Sequence, residues 1–226
     1  MTVSLRLRYS RHEPAIWLAH LDMMRTFERS VRRAGIPVAY SSGYNPRPRL
    51  AFALPIGVGL ETEDDWLDVL LAEETAADPA QAAAWADALN RHLPAGLAIL
   101  SGALVAGGGP SLMSLVTAAD YRLQTSGLAA AVRQLEQQRV LDQDAAGWIV
   151  EKNSKGKTVK TDIRPLILSV QVEEPDTAVL RVRAGSQQNL RPDLFLQHLV
   201  AACGLDKTAA ADSRITRIRL WLGDQP

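Results

Sequence analysis

The chain has 226 residues, with 25 basic and 25 acidic side chains and a formal net charge of zero. Apolar residues make up 47% of it and charged residues 22%, a globular profile that excludes a disordered tail, a collagen-like chain and a disulfide scaffold. The length suits one large domain or two of about 100 residues each. Zero net charge argues against a nucleic-acid partner only if the charge is evenly spread, and it is not. Residues 1–50 hold nine basic and three acidic residues, a net of +6, and residues 51–100 hold one and nine, a net of −8. Residues 101–150 carry −1 and residues 151–226 carry +3.

No apolar run approaches the ~20 residues of a membrane span. The opening Met1-Thr2-Val3-Ser4-Leu5-Arg6-Leu7-Arg8 alternates, unlike a signal-peptide core, so the chain is expected to start folding at once. The lone Cys203 sits in an apolar helical context and cannot form an internal disulfide. These features point to a reduced cytoplasmic protein with a buried thiol and no membrane association.

Val3, Leu5 and Leu7 alternate with Ser4, Arg6 and Arg8, the period of a half-buried strand with a basic outer face. From His20 to Ala34 the period becomes helical: Leu21, Met24, Phe27, Val31 and Ala34 mark one face, and Arg25, Arg29, Arg32 and Arg33 the opposite arc. Gly35 suits the helix stop. A short strand is expected over 36–40, then a loop over 41–48. Strands follow at 50–54 and 66–72, an alanine-rich helix at 79–92 and a strand at 97–104. That order is β-α-β-β-α-β, the ferredoxin-like pattern. Gly107-Gly108-Gly109-Pro110 reads as a boundary. Beyond it the order repeats: strand 115–124, helix 128–139, a hairpin of 148–152 and 158–163, strands 166–172 and 178–182, helix 192–202 and strand 215–222. The expected fold is α+β, two tandem ferredoxin-like halves at 1–106 and 111–226, the second with an added β-hairpin.

Three segments carry candidate chemistry. The first is Ala19-His20-Leu21-Asp22 leading into the arginine face. Four guanidiniums on one arc can hold phosphates bidentately, although Glu13, Asp22 and Glu28 could instead neutralise a plain solvated surface. His20 is the one candidate acid/base, and packing or capping is the commoner use of such a histidine. The second is Ser42-Gly43-Tyr44-Asn45-Pro46-Arg47-Pro48-Arg49, where Gly43 allows positive φ and two prolines stiffen the loop. An aromatic ring with guanidiniums there suits nucleotide stacking and phosphate contact. The third is the hairpin around Lys155-Gly156-Lys157, flanked by Lys152 and Lys160. It lacks the upstream glycine of a phosphate-binding loop, so nucleotide hydrolysis by that route is rejected. A basic hairpin can still reach into a groove. Gly57-Val58-Gly59 reads as a bend at a strand end. No metal-ligand or cluster-cysteine set appears, and the acidic strip Glu61, Glu63, Asp64, Asp65 and Asp68 reads as a solvated edge or a docking patch.

Taken together, Trp17-Leu18-Ala19-His20-Leu21-Asp22-Met23-Met24-Arg25, the run from Glu28 to Pro37, Tyr40 to Pro48, and Asp162-Ile163-Arg164-Pro165 resemble the radical-SAM-linked protein family, itself largely uncharacterised. The likeness extends over most of the chain. In that pattern serine commonly precedes His-Leu-Asp, and Ala19 forfeits about 1 kcal/mol of capping unless another group substitutes. The resemblance implies a separate radical SAM enzyme as partner, often of a cobalamin-binding type. S-adenosylmethionine, the iron–sulfur cluster and any cobalamin would then reside in that partner, and this chain would hold no cofactor or metal. The tandem plan is also similar to CRISPR repeat-processing endoribonucleases and some pseudouridine synthases, an analogy of fold alone.

Three functions follow as expectations. The first is a non-catalytic accessory protein that presents RNA or another anionic substrate to the radical SAM enzyme. It would use Arg25, Arg29, Arg32, Arg33, Tyr44, Asn45, Arg47, Arg49, Lys155, Lys157 and Arg164, with His20, Asp22, Ser42, Gly43, Pro46, Pro48 and Asp162 completing the motifs. The second is a metal-independent endoribonuclease or RNA-modifying enzyme with His20 as acid/base. The third is a protein–protein adaptor that docks through its acidic segment.

Overall fold

A computed structural model describes residues 2–72, 75, 78–141, 147–154 and 157–223, without the side chains of 138–141, 153, 154 and 157. The fold is mixed α+β. In chain order the elements are β1 (Val3–Arg11), α1 (His20–Arg33), β2 (Leu50–Phe52), β3 (Glu61–Leu70), α2 (Pro79–Asn90), β4 (Leu97–Ala106) and the single turn α3 (Leu112–Leu115). Then follow β5 (Val116–Gln124), α4 (Leu128–Leu141), β6 (Ile149–Ser154), β7 (Lys157–Asp162), β8 (Ile167–Glu174), β9 (Thr177–Arg183), α5 (Pro192–Ala202), α6 (Lys207–Ala211) and β10 (Arg214–Leu222). Contacts divide the chain into two compact units, Met1–Thr117 with Arg219–Pro226, and Ala118–Ile218. The Gly107–Gly109 stretch lies inside the first unit.

In the first unit the strands run antiparallel in the order β4-β1-β3-β2. Period-two alternation sends Leu5, Leu7 and Tyr9 of β1 into a core with Leu67 and Val69 of β3. Met23, Phe27 and Val31 of α1 and Ala82, Trp85 and Leu89 of α2 belong to the same core. The buried stripe of α1 differs from the expected one. It runs through Met23, Phe27, Ser30 and Val31, while Leu21 is exposed. A polar residue is tolerated there because the Ser30 hydroxyl donates to the His92 carbonyl at 3.0 Å. The helix ends as expected: Gly35 has φ +67°, and the Gly35 and Ile36 amides donate to the Arg32 and Val31 carbonyls, both at 3.2 Å.

Two strand expectations are corrected. Residues 36–40 form no strand, only isolated bridges from Val38 to Leu71 and from Tyr40 to Pro48, because Pro37 cannot donate to a ladder. Conversely, β3 begins at Glu61 rather than Trp66. Its carboxylates disguise a strand that is stabilised by cross-strand arginines.

In the second unit β10 as far as Ile218, β5 from Ala118, β9 and β8 lie side by side, β9 running antiparallel to both β5 and β8. Buried Leu128, Val132 and Leu135 of α4 and Phe195 and Leu199 of α5 supply its core. The strands β6 and β7 form a separate antiparallel hairpin, as expected. Cys203 is a buried thiol outside any disulfide, and its burial raises its pKa.

Candidate functional site

The arginines of the first unit fall into two groups with different surroundings. Those of β1 are neutralised. Arg6 Nε and Nη2 donate to the two carboxylate oxygens of Asp68, both at 2.8 Å, and Arg8 does the same to Asp64 at 2.7 Å. Hydrogen bonding to these carboxylates raises both guanidinium pKa values, against the opposing effect of burial. Arg11 is fully buried and donates to the carbonyls of Leu60, Leu18 and Gly57. It thereby ties down the Gly57-Val58-Gly59 bend.

The acidic strip is therefore not a solvated edge. Glu61 and Asp65 are buried, Asp65 accepts from the Tyr9 hydroxyl at 3.2 Å, and Asp64 and Asp68 are held by Arg8 and Arg6. Only Glu63 of the five is exposed.

The helix and loop arginines are different. Arg25 makes a 3.5 Å contact to Asp22 on the helix surface. Among the described residues, Arg29, Arg32, Arg33, Arg47, Arg49 and Arg91 have no ion-pair partner. Arg29 and Arg33 border an open groove of about 530 Å³, and Arg91 borders it from the turn after α2. The Ser30–His92 hydrogen bond fixes that turn against α1, which sets all three arginines around one groove, with Arg29 Nε donating to the Arg25 carbonyl at 3.1 Å. Each repels the others, and a polyanion is the ligand that relieves this. Arg32 is exposed and does not line the groove.

The loop over 41–49 is closed at its base. Ser41 N–H donates to the Arg47 carbonyl at 2.9 Å, and Arg47 N–H to Ser41 Oγ at 3.1 Å. Gly43 takes φ +123°, a conformation that favours glycine. Tyr44 is fully exposed, and Ser42, Asn45 and Pro46 beside it are exposed too. Arg47, Pro48 and Arg49 line a second cavity of about 440 Å³ with Ser41 and Gly107–Gly109. The glycine stretch expected as a boundary also lines this cavity.

His20 is half-buried at the start of α1, with its ring edge-on to Phe52 at 5.5 Å. It makes no hydrogen bond among the described residues, so its geometry is that of a packing histidine. Ala19 provides no side-chain cap, and no other side chain substitutes.

The remaining candidates lie in the second unit. Lys155 falls outside the described residues, and Lys157 is placed in β7 by its backbone alone. Asp162 Oδ1 accepts the Arg164 amide at 3.0 Å, ordering the turn after β7. His198 is buried and stacked on Trp148, with ring centroids 5.2 Å apart. Burial lowers its pKa, and the Asp162 charge opposes this more weakly.

The structure brings Arg29 and Arg33 together, brings Arg47 and Arg49 together, and places Arg164 in the second unit. Arg91 was missed, although it is the only basic residue between positions 51 and 100. Its isolation in an acidic segment was the available signal. Among the described residues, no group of three or more His, Cys, Asp or Glu side chains is placed to hold a metal ion. No described helix is long and apolar enough to cross a membrane.

Fold and site together define an α+β protein whose first unit bears a groove of unneutralised arginines. Over residues 4–192 the chain matches the model of a family described as an uncharacterized protein conserved in bacteria, DUF2344. The chain belongs to that family. No curated protein matches it.

Proposed function

We propose that this protein is a non-catalytic accessory subunit that binds RNA, or a similarly polyanionic substrate, through the basic face of its first unit. The observation that carries this reading is the sharing of one groove by Arg29, Arg33 and Arg91 with no carboxylate partner among the described residues. Two other exposed arginines do pair, Arg191 with Asp193 and Arg25 with Asp22. Arg47, Arg49 and the exposed ring of Tyr44 add phosphate and stacking contacts. The resemblance to radical-SAM-linked proteins supports a separate radical SAM enzyme as partner, with the cluster, S-adenosylmethionine and any cobalamin in that enzyme. We also read each unit as ferredoxin-like. The strand orders β4-β1-β3-β2 and β10-β5-β9-β8, with helices between the strands, support this, and β6–β7 is then the insertion.

Crosslinked affinity purification from the native cell tests both halves of the reading. Co-purification of RNA and a radical SAM enzyme is the expected result. Recovery of neither contradicts it. Cleavage of bound RNA by the purified chain, abolished in His20→Ala, would replace the accessory role by an endoribonuclease.

A further inference from the structure

The second unit contains a pocket of about 340 Å³ that uses none of the arginines of the first. Its walls are Val132 and Leu135 of α4, Leu168 and Val170 of β8, and the indole of Trp148. Two charged groups also line it, Arg164 and Glu136. Neither has an ion-pair partner among the described residues, so they do not neutralise each other across the cavity. Apolar walls with a few convergent polar groups are the make-up of a small-molecule site.

The chemistry of the guest follows from the lining. His198, stacked on Trp148, is not a lining residue, so the indole surface that borders the pocket is the part His198 leaves uncovered. A planar ring can lie against that surface, with aliphatic side chains as the other walls. Arg164 is half-buried, its backbone is fixed by Asp162, and it brings a cation to the pocket lining. An anionic group, a phosphate above all, suits its bidentate fork. Glu136 can only accept hydrogen bonds when ionised, so it favours a ring that carries an amino group.

We propose that this pocket binds one nucleotide, with the base against Trp148, an exocyclic amino group at Glu136 and the phosphate at Arg164. The nucleotide is either free or one unstacked residue of an RNA strand. The proposal shares phosphate chemistry with the RNA reading above but rests on different residues, so either can fail alone.

Calorimetric titration of the full chain with 5′-AMP, UMP, adenosine, inorganic phosphate and phenylalanine tests it. Saturable AMP binding is expected, with adenosine, phosphate and UMP each weaker. Trp148→Ala and Arg164→Ala should each weaken AMP by about tenfold or more, as stacking and charge-assisted contacts imply. Trp148→Phe should stay within about threefold of the parent, because an aromatic face remains. Retained binding in that variant separates a lost contact from a lost fold. Glu136→Gln should narrow the preference for AMP over UMP, because an amide can also donate. Arg29→Ala/Arg33→Ala should leave AMP binding unchanged, which separates this site from the basic groove. Titration with a short oligoadenylate identifies the source: tighter binding than AMP indicates a strand, and equal binding a free nucleotide. AMP binding that is absent, that survives both Trp148→Ala and Arg164→Ala, or that is outcompeted by phenylalanine overturns the proposal.

Discussion

The arginines of β1 and those of α1 are close in sequence and opposite in circumstance. Arg6 and Arg8 face carboxylates across a strand ladder and are held in bidentate pairs. Arg29 and Arg33 face Arg91 over a groove and have no such partner among the described residues. Between the +6 and the −8 segments, Asp68 and Asp64 of β3 neutralise Arg6 and Arg8 of β1. They leave Arg29 and Arg33 of α1 uncompensated among the described residues. Net charge says little about binding until each charge has been assigned its partner.

The largest expected stability effect lies on the neutralised side. Arg6→Ala leaves Asp68 without its partner at a site where the two side chains are only 20% and 16% exposed. A loss of about 1–3 kcal/mol in a urea titration is expected. The same substitution at Arg29 should cost under about 0.5 kcal/mol, since nothing there is left unpaired. Equal losses at the two positions would erase the distinction.

Ser30→Ala sharpens the comparison from within the groove. It removes the hydrogen bond that holds the His92 turn on α1. It should cost about 1 kcal/mol and also weaken RNA binding, although no charge has changed. Unchanged binding would mean that Arg91 does not depend on that tether. Arg8→Ala comes next. Arg8 is 42% exposed, so water screens the pair and a loss of about 0.2–1 kcal/mol is expected.

The smallest effect is a pH dependence in the second unit. Burial lowers the His198 pKa, so the folded chain binds this proton less readily than the unfolded chain. Its contribution is full above the unfolded value of about 6.5 and is lost as pH falls through that value toward the folded one. A His198→Gln variant should show a flatter urea midpoint between about pH 7 and pH 5.5 than the parent. An unaltered slope would assign that pH dependence to other groups.

Most of the element order was legible in the sequence, because alternation and helical period survive wherever apolar residues mark the core. Two of the differences share one cause, the masking of that signal by polar residues with hidden partners. Glu61–Asp65 looked like surface because the arginines that pair with this strand lie more than fifty positions away in sequence. Ser30 is absent from the expected apolar stripe of α1 because its acceptor, the His92 carbonyl, is supplied by another element. The arginine face of α1 was legible as a helical arc, but the groove was not. Arg91 joins Arg29 and Arg33 only through the packing of α1 against the end of α2, a contact with no periodicity in the chain. The cavity lining formed by Gly107–Gly109 was hidden for a different reason, since a glycine run reads equally well as a boundary.

The direct test of the central claim is the salt dependence of single-stranded RNA binding, measured for the parent chain, for Arg29→Ala/Arg33→Ala/Arg91→Ala and for Arg8→Ala, a strand arginine that lines neither cavity. Each phosphate contact on a single strand contributes about 0.7 to the slope of log affinity against log salt. The groove variant should therefore bind far more weakly and lose about 2 from that slope. The strand variant, once confirmed folded, should match the parent in affinity and slope. Equal losses in the two variants, or a groove variant with the parent's slope, would contradict the assignment of RNA to the unneutralised arginines.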